Sequence, residues 1–175
     1  MNVPVLMKRI IISHNPSSKS PIIEHFYHDL SPLIRMRGFQ LIKYFDALGH
    51  LVAIDWFSFA RREVLFTIQA DRQDVSIFSQ MQPYIEQIVS ELSIFQLVDI
   101  FLFDELGLLE SYAGQIQQQI ITVFSSRIPV LAVVQQNHLQ KIDYLRNLDG
   151  IDYQSIGEAN DEQLYLKLIG ELYDR

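Results

Sequence analysis

Val98-Asp99-Ile100-Phe101-Leu102-Phe103-Asp104-Glu105-Leu106-Gly107-Leu108-Leu109-Glu110-Ser111 is the stretch on which the fold turns. Its first part is a run of aliphatic and aromatic residues with little alternation, the pattern of a strand buried on both faces, and it reads as a strand over Leu97 to Phe103. The strand stops on two adjacent carboxylates. Hydrolysis of a phosphate anhydride needs such a pair at a strand's end, one carboxylate for the shell of a Mg²⁺ ion and the next to orient and deprotonate water. An Asp-Glu pair after a strand is more often a solvated turn, so its meaning depends on what surrounds it.

Towards the N-terminus, Lys8 to Ser13 reads as a second buried strand because Ile10, Ile11 and Ile12 are consecutive. It runs into Ser13-His14-Asn15-Pro16-Ser17-Ser18-Lys19-Ser20, which has the length and the ending of the phosphate-loop pattern G-x-x-x-x-G-K-[ST], with serine at both glycine positions. A helix is expected from about Ser20 to Leu33, with Pro21 in its first turn. Strand, loop and helix are the setting in which backbone N–H groups and a helix dipole point at phosphates. In that reading Ser13, Asn15, Ser18, Lys19 and Ser20 line the nucleotide phosphates, Lys19 reaches the β/γ phosphates, and Ser20 and Asp104 hold Mg²⁺. The plainer reading of Lys-Ser at a helix start is an ordinary cap.

Phe39 to Tyr44, Leu51 to Phe57 and Val64 to Ala70 are three further strand candidates, the first two joined by a short connection containing Gly49, so the middle of the chain reads as antiparallel. From there strands and helices alternate: helix Gln82 to Phe95, strand Leu97 to Phe103, helix Tyr112 to Phe124, strand Val130 to Val134, helix Leu139 to Leu148, strand Tyr153 to Ile156. A terminal helix opens on the capping pair Asn160 and Gln163. Such alternation predicts an α/β fold, a mostly parallel sheet flanked by helices, with the strands of Ile100 to Phe103, Val130 to Val134 and Lys8 to Ser13 as neighbours whose C-terminal ends share one crevice.

Asp104-Glu105-Leu106-Gly107-Leu108-Leu109-Glu110 resembles the D-E-[IL]-G-x-x-E signature of the small P-loop nucleoside-triphosphatases related to the human cancer-related nucleoside-triphosphatase and its archaeal and bacterial counterparts. In that family a helix and a strand of the type Pro-Val-Leu-Ala-Val follow, here Pro129-Val130-Leu131-Ala132-Val133, and a Gly-Phe-initiated antiparallel segment follows the first helix, as Gly38-Phe39 does here. The resemblance implies a RecA-like P-loop NTPase fold and Mg²⁺-dependent hydrolysis of ATP, GTP and similar nucleotides to the diphosphate and phosphate. It implies Asp104 as the Mg²⁺-associated aspartate, Glu105 as the catalytic base, and Glu110 as the second glutamate of the signature, without a role for it. Ser13 and Ser18 depart from the family by placing Cβ atoms where glycine normally allows positive φ. Three readings therefore stay open: an active Mg²⁺-dependent nucleoside-triphosphatase, a nucleotide-binding or switch protein that hydrolyses poorly, and an inactive relative that keeps the fold to contact a protein partner or a second copy of itself.

Composition narrows the rest. One domain of 175 residues is expected, with residues 1–7 an extension before it. Net charge is 14 − 21 = −7, which gives no bulk attraction for a nucleic-acid backbone, so no nucleic-acid partner is expected. Cysteine is absent, which excludes thiol catalysis and disulfides. The longest strongly apolar runs, such as Ile128 to Val134, fall far short of the ~20 residues that span a bilayer, and a cytoplasmic location with no membrane contact is the expectation. His25 and His28 lie three apart on a predicted helix but without a further ligand; Arg61 and Arg62 read as an exposed turn that could approach phosphates, and Gln135 and Gln136 as polar residues ending a strand on the active edge.

Overall fold

The computed structural model describes residues 9–15, 22–155, 162, 163, 165–167 and 170. Its centre is a seven-stranded sheet. The strands are β1 (Arg9–His14), β2 (Met36–Phe45), β3 (Leu51–Ser58), β4 (Glu63–Gln69), β5 (Ile100–Leu106), β6 (Val130–Gln135) and β7 (Ile151–Ser155), in the spatial order β4-β3-β2-β5-β6-β1-β7. From β2 to β7 all neighbours in that order are parallel, while β3 and β4 extend the sheet as antiparallel strands. The expected adjacency holds, with β6 between β5 and β1: Ser13 is level with Val134, and Val134 with Leu106.

Consecutive residues of the central strands go to opposite faces, as the two-residue period of a strand requires. Ile11, Phe101, Phe103, Val130 and Ala132 belong to one buried cluster, whereas Ile10, Ile12, Ile100, Leu102, Leu131 and Val133 belong to another. Both faces are dry, which is why these strands read as continuous apolar runs. Helix α1 (Ile22–Leu30) covers the second cluster with Ile22, Ile23, Phe26 and Leu30. Helices α2 (Ile77–Met81), α3 (Ile85–Leu92) and α4 (Gly114–Ser125) supply the first. Burying each such side chain is worth about 1.5–3 kcal/mol before the entropy of ordering it.

The antiparallel strands are anchored by aromatic stacking. Phe39 and Trp56 lie 4.0 Å apart across β2 and β3, and Phe66 stacks on Tyr84 at 4.6 Å. Gly38 makes this possible: at φ +116° a Cβ there would stand 1.9 Å from the Leu102 carbonyl oxygen, so only glycine lets β2 lie against β5.

Three expectations are corrected. The helix begins at Ile77, earlier than Gln82, because Ser76 caps it, its hydroxyl accepting from Ser79 N at 3.0 Å, and a short 3₁₀ turn at Gln82–Tyr84 joins α2 to α3. The segment expected as a helix over Leu139 to Leu148 is a 3₁₀ stretch over Gln136–Leu145 kinked at Ile142. Its buried residues, Ile142 and Leu145, are three apart, the spacing that 3₁₀ geometry places on one face. β2 begins at Met36, ahead of Phe39, with its first residues pairing in parallel with β5. Residues 162, 163, 165–167 and 170 are helical, as expected of the last element, while Asn160 lies outside the described residues.

Candidate active site

The C-terminal ends of β1, β2, β5, β6 and β7 form one edge, and the signature carboxylates sit on it. Asp104 pairs in register with Gln40 on β2, whose amide donates to Asp104 Oδ2 at 3.4 Å. Glu105 is 5% exposed, unusual for a carboxylate that no apolar neighbour can satisfy. It is compensated from both sides. Lys43, reaching back from the end of β2, places Nζ 2.7 Å from Oε1 at ion-pair distance, though not in hydrogen-bond alignment. His14, the last residue of β1, places Nε2 3.8 Å from Oε2. Burial alone would push the Glu105 carboxyl up, but His14 and the Lys43 ammonium outweigh it and hold the group below its ordinary value. Glu105 is thus held ionised.

The turn after β5 is fastened by Glu110. Gly107, at φ +89°, packs its α-carbon side against His138 and donates its N–H to Glu110 Oε1. Tyr144 O–H donates to the same oxygen at 3.1 Å, and Oε2 has no hydrogen-bond partner among the described residues. Glu110 is fully buried, and burial pushes its carboxyl up to about 7 despite the Gly107 and Tyr144 bonds. The residue to which the sequence assigned no role is therefore a latch that holds the carboxylate-bearing turn against the 3₁₀ stretch.

His138, at that stretch, completes the ring of titratable groups. Its Nδ1 is buried without a hydrogen-bond partner among the described residues. Burial and Lys141 hold its imidazole below the ordinary value, and Glu105, Lys43 and His14 all act on it electrostatically.

Of the residues expected in the phosphate loop, Ser13 and Asn15 are described, and Ser18, Lys19 and Ser20 lie outside the described residues. Ser13 lies inside β1, paired with Val134 and Ser155, and its hydroxyl donates to Gln154 O at 3.4 Å. It does not take up the positive φ that a glycine there would permit, so no left-handed strain arises at this position. Asn15 follows β1 directly, and its carbonyl lies 3.0 Å from His14 Nδ1. Gln135 ends β6 beside His14, and Gln136 Nε2 donates to Ser155 Oγ at 3.4 Å. Arg61 and Arg62 are on the opposite edge, because β3 runs antiparallel to β2 and its end, Ser58, pairs with Phe39. Arg61 is engaged by Glu91 there.

Sequence reasoning missed His14 and Lys43. His14 was absorbed in the loop pattern, although a histidine directly after Ile-Ile-Ile-Ser is a signal for a side chain at a strand's C-terminal end. Lys43 gives no local signal, since its contact exists only because Gln40 pairs with Asp104.

The family model described as NTPase matches residues 50–169, well over half of the 175-residue chain. The chain belongs to the NTPase family. The matched span contains the carboxylates and the Glu110 latch, and begins after residues 13–20. THEP1 from the hyperthermophile Aquifex aeolicus superposes with a TM-score of 0.66 at 14% identity, over 94% of this chain and 99% of that one. A human cancer-related nucleoside triphosphatase superposes with a TM-score of 0.66 at 12% identity, over 95% of this chain and 98% of that one. None of the curated proteins compared with the chain matches it. The NTPase-family sheet is thus the P-loop NTPase fold with a mixed sheet and flanking helices. Among the described residues no helix is long and apolar enough to cross a membrane.

The donor chemistry at the edge suits Mg²⁺. Asp104 offers a hard carboxylate oxygen, and Mg²⁺ is commonly held by one or two carboxylates with phosphates and water completing its shell.

Proposed function

We propose that the protein binds a nucleoside triphosphate, ATP or GTP, at the C-terminal edge of the sheet and hydrolyses it weakly with Mg²⁺ to the diphosphate and phosphate. The observation that carries this reading is Glu105, a buried carboxylate kept ionised at the end of β5 beside Asp104 and facing the end of β1, from which the phosphate loop departs. An ionised carboxylate fixed at that edge can accept a proton from a water held beside it, and its burial excludes bulk water from the same place. Asp104 would hold Mg²⁺, which when bound with the nucleotide would withdraw charge from the phosphate oxygens. In the chain segment beyond Asn15, Lys19 and Ser20 would supply the remaining phosphate and metal contacts, and Ser18 a further phosphate contact. Glu110 keeps the turn in place through Gly107, so the carboxylates do not drift from the edge.

The ion pair with Lys43 favours a second reading. A base whose oxygen is 2.7 Å from an ammonium is a poor proton acceptor, and a chain that keeps this pair when nucleotide binds is an inactive relative that works through protein contacts. A calorimetric titration with ATP and GTP in the presence and absence of Mg²⁺, combined with a phosphate-release assay, separates the two. Saturable Mg²⁺-dependent binding with release is expected. Binding without release favours the inactive relative, and absence of binding removes the nucleotide reading altogether.

A further inference from the structure

A second cleft, of about 580 Å³, opens at the other end of the sheet, between the turn after α1, the first residues of β2, the β3–β4 turn and the segment before β5. Its nearest strand residue, Arg37, is level with Phe101, three residues or about 10 Å along the strand from Asp104, and its volume falls among small-molecule sites of roughly 300–1,000 Å³. Its wall is aromatic, Tyr27 and Phe59 lying 4.9 Å apart, and its lip carries Leu33 and Leu97, 73% and 72% exposed.

The charge of the cleft is opposite to that of the chain. Arg35, Arg37 and Arg62 line it in a protein of net charge −7. Arg35 is tied to Asp99. Arg37 and Arg62 have no carboxylate partner among the described residues: each donates to one main-chain carbonyl, Glu91 O at 3.4 Å and Ser31 O at 3.3 Å, out of the five donors of a guanidinium.

An independent feature singles out the same place. Among the described residues, the non-glycine residues at positive φ are Arg62, at 57°, and Leu97, at 59°, and both line this cleft. Such backbone is held only where its surroundings over-determine it, and it gathers at ligand clamps. Leu97 gains little burial in return, since its side chain stands in solvent.

We propose that this cleft binds a small organic anion, with a carboxylate, sulfonate or phosphate-monoester head taken by Arg37 and Arg62 and an apolar body laid against Tyr27, Phe59 and the leucine lip. The site is separate from the nucleotide edge and does not depend on activity there. Calorimetric titration of the full chain with decanoate and with 8-anilinonaphthalene-1-sulfonate tests it. One saturable site is expected for each probe, with inorganic phosphate alone weaker by at least about tenfold because it lacks the apolar body. Arg62→Gly and Leu97→Asp each weaken probe binding by about tenfold or more, one by removing a charged donor and the other by repelling the anion. Neither lowers the melting temperature, since both side chains are exposed, and Arg62→Gly raises it because glycine accepts the positive φ. Equal affinity in wild type and Arg62→Gly, no saturable binding of either probe, or displacement of the probe by ATP with Mg²⁺ would each overturn the proposal. Binding of a leucine-containing oligoglutamate peptide without binding of either probe would overturn it in favour of a protein partner.

Discussion

Glu105 and Glu110 flank a single turn, and both are buried, yet their surroundings drive them in opposite directions. Glu105 faces the sheet edge, where His14 and Lys43 bring opposite charge to it, and its carboxyl is held down. Glu110 faces the core side of the turn, where it meets neutral donors from Gly107 and Tyr144 and no cation, and burial pushes it up to about 7. The difference teaches that burial alone does not decide the charge of a carboxylate; the supply of opposite charge within a few ångströms does. One glutamate is thereby kept charged at the sheet edge, and the other holds the turn.

The comparison is broken most severely at Lys43. Lys43→Met leaves Glu105 buried beside His14 without the ammonium, and removing one member of a buried pair costs about 3–5 kcal/mol. Urea unfolding at pH 7 is expected to show a loss of that order. A loss under about 1 kcal/mol, the range of exposed pairs, would mean that the Lys43–Glu105 pair is not what neutralises Glu105.

The next effect is that of pH on Glu110. Its folded value, about 7, lies above the ordinary 4.5, so the folded state binds the extra proton between those values and stability falls as pH rises through that window. At 1.36 kcal/mol per unit the whole change is about 3 kcal/mol. Glu105 acts in the reverse sense: its stabilisation is present above the ordinary 4.5 and is lost as pH falls through its lowered folded value, so the two windows do not overlap. Wild type is therefore expected to lose stability between about pH 4.5 and pH 7, and Glu110→Gln to lose markedly less. Parallel melting curves for the two proteins over that range would contradict the assignment.

Tyr144→Phe gives the smallest effect, about 1 kcal/mol for a lost hydrogen bond. It sharpens the comparison, because the lost donor lowers the Glu110 value, and its removal moves the stability midpoint to higher pH. A midpoint unmoved in pH-dependent melts would show that the hydroxyl does not reach the carboxyl.

The sheet was legible in the sequence where strands are buried on both faces, since Ile10 to Ile12, Ile100 to Phe103 and Val130 to Val134 leave no room for another reading. The two signature carboxylates and their edge were legible for the same reason, as they end such a run. What sequence could not supply was the register between distant strands. Lys43 meets Glu105 because β2 pairs with β5, and the cleft of Arg37, Arg62 and Leu97 exists because three loops far apart in the chain meet at one end. The 3₁₀ stretch over Gln136–Leu145 escaped because its apolar residues are sparse enough to satisfy either helical period.

The most direct test of the account compares wild type with Glu105→Gln, which keeps the shape of the side chain and removes the proton acceptor. ATP–Mg²⁺ binding is measured by calorimetry and phosphate release is measured on the same preparations. The expected result is binding within about threefold in the two proteins and a release rate at least about 100-fold lower in the variant, the scale of a lost general base. Equal release from wild type and Glu105→Gln would contradict it and place the proton acceptor, or the activity itself, elsewhere.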